Sequence, residues 1–535
     1  MNTAEALVKI LEEENVKHIF GHPGEQVLPM YKALEKSSIK HILTRHEQAA
    51  AHAADIYAHS TGKFSVCIST ASPGALNFVM AVATAYKDNN PILVLTGDNP
   101  YSERLEDTFQ SFDLPGVFEK ITYKNFNPSN GKEAILALKE AIEIFKNEPR
   151  GPIHINLPKD ILNEENVDRF IDFPLDYKTD YNYSQMNILI NMIKVSKKPL
   201  IIGGSGIIWA NACALLKDFA EKNNIPLTTT YPARGIVDES NPINLGLVGL
   251  RGTAMGNYAY LHSDLIIVLG SRLSERTMIL SSKSKDDFNQ KIVHVNIDKS
   301  VLKGKVKIHG DVAYVLENLL SVDFNLNHKK WLDEIKVHDK PLILEGINDK
   351  SLPVRPQSAI RTIYDNIGDS YVMGDAGSHV TWTMLLANPD KYGKFSYSGA
   401  LCPMGMGLPG GIGLSLSHPN EKVVVINGDG GFQMCIEELA TIKEYNLPII
   451  IILINNNQLG IIRQWEEAID PEFRYQVDLD NPDFLKIVEG YGIDGERAYT
   501  IEEIESSIKK AMTVDGPYFI EIYTREEDIP LSNFL

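Results

Sequence analysis

The residues best placed to do chemistry lie between Gly428 and Gln458, within VVVINGDGGFQMCIEELATIKEYNLPIIIILINNNQLG. A β-branched run ends in a Gly-Asp-Gly-Gly turn, a helix-length insert follows, and a second apolar run ends in three asparagines. A right-handed crossover returns the second strand of such a unit parallel to the first. If the strands are neighbours, Asp429 and Asn456 meet beyond their carboxyl ends, where open α/β sheets bind ligands. Gly428, Gly430 and Gly431 let backbone amides approach a diphosphate, and a helix start favours anions. One carboxylate, one amide oxygen and one backbone carbonyl suit Mg2+, which takes its remaining ligands from phosphate and water. An Asp-Gly turn after a strand is common by itself, so the specificity lies in the whole combination.

That combination resembles the metal–diphosphate motif of the thiamine-diphosphate enzymes. The resemblance makes Asp429 and Asn456 side-chain ligands and gives Gln458 a ligand role through its backbone oxygen. Such an enzyme needs one more group, a partly buried carboxylic acid that shares a proton with the aminopyrimidine ring. Glu47 fits, because it follows a short apolar run and opens an Ala-rich helix whose small residues permit close approach. A helix-start acid is otherwise explained by the helix dipole, worth only ~0.3–1 kcal/mol. The surrounding RHEQAAAHAADIYA is similar to the superfamily's glutamate motif, and Asn77 in the ASPGALN turn is expected to shape the cofactor cleft.

These residues need sheets to position them. Runs at 65–70, 91–97, 152–158, 199–204, 264–270, 291–297, 422–428 and 448–455 are short, β-branched and nearly continuous in apolar residues. Strands of that kind are buried on both faces, which predicts α/β architecture with doubly wound parallel sheets. Polar, poorly periodic residues at 163–185 and a charged stretch at 325–355 read as linkers. They divide the chain into 1–165, a pyrimidine-binding domain, 186–322, a central FAD-type domain, and 355–535, a diphosphate-binding domain.

Composition excludes other classes. A formal net charge of -18 opposes non-specific binding to nucleic acid or to an anionic membrane surface. Four cysteines, Cys67, Cys213, Cys402 and Cys435, stand far apart, as in a reducing compartment, with no disulfide framework and no zinc pattern. The N-terminus lacks a signal peptide's apolar core, and the longest apolar run falls far short of the ~20 residues a membrane span needs. A cytoplasmic location is expected.

A narrower resemblance covers nearly the whole chain, to the catalytic subunit of acetohydroxyacid (acetolactate) synthase. It is carried by FGHPGEQVLPMYKAL, RHEQAAAHAADIYA, DTFQSFDLPGVFEKIT, GPIHINLPKDI, LGLVGLRGTAMGNYA, GSRLSER, GDGGFQMCIEELATI and LGIIRQWEEA. It implies that pyruvate is decarboxylated and joined to a second 2-keto acid, giving 2-acetolactate or 2-aceto-2-hydroxybutyrate in branched-chain amino-acid biosynthesis. By the same resemblance Phe109 and Gln110 line the reaction cavity, Lys159 stands at the substrate channel, and Arg276 pairs with the acceptor's carboxylate. Trp465 packs beside that acceptor, Met404 props the thiamine in its bent form, and the Cys402 carbonyl accepts from the aminopyrimidine. His379 lies on the diphosphate side. GGSG (203–206), TTTYPARG (228–235), GLRGTAMGN (249–257), NID (296–298) and HGDV (309–312) fall where the family holds a structural FAD. The family's architecture also implies a homodimer or homotetramer, with the Glu-bearing domain of one copy facing the diphosphate domain of another, and leaves room for a regulatory small subunit.

The chain departs from the family near the chemistry. Gly24-Glu25-Gln26 replaces Gly-Gly-Ala, Gly97-Asp98-Asn99 replaces GQV, and Ser378-His379-Val380-Thr381-Trp382 replaces QHQMW. Cys402-Pro403-Met404-Gly405-Met406-Gly407 stands for GTMGFG, and Ile461 for the methionine of LGM. These positions touch the substrate side and leave the cofactor set whole. The alternative to acetolactate synthesis is therefore a divergent thiamine-dependent decarboxylase or carboligase for a different 2-keto acid, with Glu25 or His379 as proton donor. A binding protein that kept only the fold is opposed by the complete Glu47, Asp429 and Asn456 set.

Overall fold

The computed structural model describes residues 1–103, 107–148, 151–165, 168, 179–278, 291–339 and 345–529. Among them, eighteen strands form three six-stranded sheets. The first contains β1 (His18–Gly21), β2 (Lys40–Leu43), β3 (Ser65–Ser69), β4 (Ile92–Asp98), β5 (Lys124–Phe126) and β6 (Ile153–Pro158), in the order β2-β1-β3-β4-β6-β5. All its pairings are parallel. The second has β7 (Pro199–Gly203), β8 (Leu227–Thr229), β9 (Asn244–Leu247), β10 (Leu265–Leu269), β11 (Ile292–Asn296) and β12 (Val306–His309), in the order β12-β11-β10-β7-β8-β9. The third has β13 (Tyr371–Gly374), β14 (Phe395–Ser396), β15 (Val423–Gly428), β16 (Ile449–Asn455), β17 (Asp494–Ala498) and β18 (Tyr518–Tyr523), in the order β14-β13-β15-β16-β18-β17.

The expected runs are strands, and their continuous apolar character has the expected cause. Every residue of β3, β4, β6, β7, β10, β11 and β16 is buried. Helices flank each sheet, so the doubly wound α/β reading holds. Two compact units result. One comprises Met1–Tyr177, Asn348–Thr383 and Ser396–Asp528, and carries the first and third sheets; the other comprises Lys178–Ile347, Met384–Phe395 and Ile529–Leu535, and carries the second.

Within the first unit, the helix Glu47–Thr61 lies against the helix Gly407–Ser417. The approach is as close as backbone allows: a Cβ on Gly413 would fall 2.1 Å from the Ala53 carbonyl oxygen. The alanines and glycines of these two helices are therefore a packing device that joins two sheets. One stretch differs from expectation. The charged segment 325–355 contains the helix Lys329–Lys336, with Trp331, Leu332 and Ile335 buried on one face. Much of the other expected linker, residues 169–178, lies outside the described residues.

Candidate active site

The parallel register of β15 and β16 pairs Gly428 with Ile454, which sets Asp429 and the asparagine loop side by side at the carboxyl edge. The Gln458 backbone N–H points at both expected ligands, reaching Asp429 Oδ2 at 3.3 Å and Asn456 Oδ1 at 3.2 Å. Asp429 is 2% exposed; Gly430 N–H donates to its Oδ1 and the Asn481 amide to its Oδ2 at 2.8 Å. Burial raises the Asp429 carboxyl above the usual range, while the bonds from Asn481, Gly430 and Gln458 oppose that rise. A cation beside this carboxylate would oppose that rise as well. Among the described residues no group of three or more His, Cys, Asp or Glu could hold a metal. A cation at Asp429 would thus lean on amide, carbonyl and non-protein oxygens, which is the ligand set Mg2+ prefers.

The helix after Gly428 is short, Asp429–Phe432, and continues as a 3-10 turn over Gln433–Glu438. His379 stands against its start, since a Cβ on Gly428 would lie 2.8 Å from His379 Nδ1. Its Nε2 is buried with no protein partner, and burial pulls its pKa down to about 3. Its Nδ1 side is the one packed against the glycine turn, and a neutral imidazole keeps one ring N–H that can be donated to an oxyanion ligand. Met404 closes the other side, where its methyl lies 3.1 Å from the place a Gly430 Cβ would occupy.

Asp375 holds this second wall in position. It is 2% exposed and accepts from Ala376 N–H at 2.7 Å, Gly405 N–H at 3.0 Å and Met406 N–H at 3.3 Å. Cys402 takes a positive φ of 51° where the family motif has glycine, and its N–H donates to Ser398 Oγ at 3.1 Å. Ser398 in turn donates to Asp88 Oδ2 at 2.8 Å. The loop bearing Cys402 and Met404 is therefore tied to both sheets of its unit.

Glu47 is the first residue of its helix, half-buried at the carboxyl edge of the first sheet. The Asn77 amide donates to its Oε2 at 2.9 Å, while its Oε1 lies 2.7 Å from a Cβ built on Gly74. The backbone before it is held by the third sheet's side of the unit. Glu438 Oε1 accepts from Arg45 N–H at 2.8 Å and His46 N–H at 3.0 Å.

The substrate-side residues are more dispersed. Gln110 has a φ of 62°, and Phe109 beside it is 83% exposed. Lys159 begins the turn after β6 and pairs with Glu25 at 2.8 Å, which lowers the Glu25 carboxyl. Trp465 is 49% exposed on the helix Gly460–Ile469. Arg276 belongs to the other unit, on an exposed turn after β10, where its carbonyl accepts from Leu250 N–H at 2.9 Å. Sequence reasoning missed Asn481, Asp375 and Glu438. Each is an ordinary polar residue until folding sets it against Asp429, the Met404 loop or the Glu47 turn.

In the second sheet's unit, the motifs read as flavin-binding spend their amides internally. Gly204 and Gly206 N–H donate to the Leu269 and Gly270 carbonyls, and Gly249, Leu250, Arg251, Gly252 and Thr253 N–H all have protein acceptors. Asp298 and Asp311 cap the turns that follow them. The amides named are thus engaged by the protein itself.

Comparison with known proteins agrees with this layout. Residues 1–117 match the N-terminal TPP binding domain of thiamine pyrophosphate enzymes, 186–319 their central domain and 375–522 their C-terminal TPP binding domain. The chain is 36% identical to a probable acetolactate synthase large subunit from Methanocaldococcus jannaschii, over 98% of this chain and 92% of that one. It is 35% identical to acetolactate synthase large subunits from Buchnera aphidicola (96% and 92% covered) and Porphyra purpurea (98% and 92%). Two thiamine-binding edges on two parallel sheets, and relatives aligned along nearly the full length, lead to one conclusion: the chain belongs to the acetolactate synthase large-subunit family of thiamine pyrophosphate enzymes.

Proposed function

We propose that the protein decarboxylates pyruvate and joins the remaining two-carbon unit to a second 2-keto acid, giving 2-acetolactate or 2-aceto-2-hydroxybutyrate for branched-chain amino-acid synthesis. The observation that carries this reading is the corner where the Gln458 N–H bridges Asp429 and Asn456, with His379 packed against Gly428 at the start of the same turn. Asp429, Asn456 and the Gln458 carbonyl would hold Mg2+, and His379 with the amides of Gly430 and Gly431 would hold the diphosphate. Thiamine diphosphate held there would supply a nucleophilic carbon for a ketone and a cationic ring as the sink for the electron pair released with CO2.

This chain's residues do the rest. Glu47, held by Asn77, keeps a proton on the aminopyrimidine. Met404 would support the cofactor's bend, and the Cys402 carbonyl would accept from its amino group. Phe109 and Gln110 limit water at the reacting carbon, Lys159 draws the anionic substrate inward, and Trp465 packs on the acceptor's side chain. Arg276 pairs bidentately with the acceptor's carboxylate, which orients its ketone for attack.

Catalysis requires a homodimer or a homotetramer built from it, in which the Glu47 edge of one copy covers the Asp429 edge of another. Exposed apolar side chains at both edges, Leu76, Phe109 and Phe112 on one and Leu401, Met434 and Trp465 on the other, support that pairing. A small regulatory subunit is a further partner, by analogy with relatives named large subunits. Four free cysteines favour a reducing, cytoplasmic setting, and among the described residues no helix is long and apolar enough to cross a membrane.

The alternative reading, a simple decarboxylase, needs a proton donor near the substrate. Glu25 is kept ionised by Lys159 and His379 is kept neutral by burial, so neither is a good acid near pH 7. The test is incubation with pyruvate, Mg2+ and thiamine diphosphate, followed by product analysis: acetolactate is expected, and acetaldehyde alone would reject the carboligase. Glu47→Gln should abolish turnover while cofactor binding, read by fluorescence quenching, persists; near-normal activity would remove Glu47 from its role.

A further inference from the structure

The departures Gln26, Asp98 and Asn99 are one connected device. Gln26 Nε2 donates to Asn99 Oδ1 at 3.2 Å, and Asn99 Nδ2 donates to Thr108 Oγ1 and to the Phe109 carbonyl, both at 2.9 Å. Asn99 N–H bonds to Asp98 Oδ1 at 2.8 Å, and the Asn156 amide to Asp98 Oδ2 at 2.7 Å. Gln26, Asp98 and Asn99 are 8%, 4% and 5% exposed.

This network fixes the orientation of both amides. The Phe109 carbonyl can only accept, so the NH2 of Asn99 must face it and the oxygen of Asn99 must face Gln26. Gln26 must then present its own NH2 to Asn99. What remains is Gln26 Oε1, buried and without a partner among the described residues. Buried acceptors are rarely left unmet, so this one has room in its hydrogen bonding for a donor that a ligand brings.

Its location says what that donor belongs to. Gln26 N–H bonds to Thr70 Oγ1 at 3.4 Å, and Thr70 Cγ2 and Glu47 Oε1 both crowd the place of a Cβ on Gly74, at 3.1 and 2.7 Å. Gln26 and Glu47 thus flank the same threonine at the carboxyl edge of one sheet. The alanine that the family usually has at this position carries no polar atom, whereas an unmet amide oxygen asks for a hydroxyl.

We propose that Gln26 determines donor specificity, its amide oxygen accepting a hydrogen bond from a hydroxyl on the carbon next to the ketone of a 2-keto acid. The inference rests on the thiamine-dependent carboligase reading above and extends its donors from pyruvate to 3-hydroxylated 2-keto acids, which the site takes in preference. An acceptor that a hydroxyl satisfies and a methyl leaves orphaned discriminates between them by about tenfold or more.

The test uses the full-length enzyme with Mg2+ and thiamine diphosphate. Initial rates of CO2 release from hydroxypyruvate and pyruvate should give a kcat/KM ratio of about ten or more, falling to about one in both Gln26→Leu and Gln26→Ala. Binding of the unreactive pair glycerate and lactate, by calorimetry on the unaltered protein, gives a readout that needs neither turnover nor a variant: glycerate should bind more tightly. Equal binding of the two, or a kcat/KM ratio unchanged by both substitutions, overturns the proposal. Preference for glycerate without turnover of either keto acid would keep Gln26 in its role and reject the carboligase reading instead.

Discussion

Replacing Glu438 with glutamine isolates the contact that positions Glu47. Glu438 is fully buried, and burial pushes its carboxyl from 4.5 up to about 7, against the opposing bonds from Thr441, Arg45 and His46. The folded chain therefore binds this proton more tightly than the unfolded chain does. A group with a raised folded value contributes stability that is fully present below its unfolded pKa and lost as pH climbs through the folded one. At ~1.4 kcal/mol per tenfold change in proton affinity, the loss between about pH 4.5 and pH 7 is about 3 kcal/mol. Glutamine keeps an oxygen for the Arg45 and His46 amides but does not titrate. Thr441 donates to the Leu43 carbonyl as well as to Glu438 Oε2, so its hydroxyl can instead accept from the new amide. The stability of Glu438→Gln relative to the unaltered protein should thus rise by about 3 kcal/mol between about pH 4.5 and pH 8. Urea unfolding at matched protomer concentration measures this, because association adds its own stability. A difference flat to within about 1 kcal/mol over that range would refute the reasoning. Glu438→Ala separates positioning from charge. It strands two backbone amides at ~1–3 kcal/mol each and frees the turn before Glu47, so its kcat should fall about tenfold while the glutamine variant keeps most of its activity.

Such a contact could not be read from the sequence. Glu438 lies about 390 residues from Arg45 and His46 along the chain, and nothing in EELATI marks the glutamate as the acceptor for those amides. Asn481 is similar: it occupies an unremarkable loop, yet its amide bonds to Asp429 and to two asparagines of the ligand loop. What was legible has local causes. The strand runs announce themselves because both faces of a parallel sheet are buried, and the glycine turn is legible because it must sit at the end of such a strand. The Lys329–Lys336 helix was hidden for the opposite reason, since its three buried residues are outnumbered by charges on the solvent face. The departures at 25, 26, 98 and 99 read singly as drift. Folding pairs Glu25 with Lys159 and links Gln26 to Asn99, which makes them answer one another.

The remaining predictions follow from the same geometry. Asp429→Ala removes the acceptor of three bonds and the carboxylate of the proposed metal corner, so Mg2+-dependent cofactor binding should weaken by about a hundredfold or more, read by titration of the apoenzyme; unchanged affinity would move the metal elsewhere. A double-mutant cycle of Glu25→Gln and Lys159→Met should give a small coupling that fades with salt, because Glu25 is 68% exposed; a large, salt-insensitive coupling would mean that the pair is buried by a second copy. Arg276→Ala distinguishes the two halves of the reaction. CO2 release needs only the first keto acid, whereas carbon–carbon bond formation needs the second one held with its ketone facing the nucleophile. The lost charge-assisted bond, worth ~1.5–3 kcal/mol, should therefore slow acetolactate formation by roughly tenfold to a hundredfold and leave decarboxylation nearly intact, with the two-carbon unit diverted to acetaldehyde. Comparing CO2 with acetolactate in one reaction mixture reads both halves at once. If both fall together while the cofactor stays bound, Arg276 does not hold the acceptor, and the cation that does must come from another position.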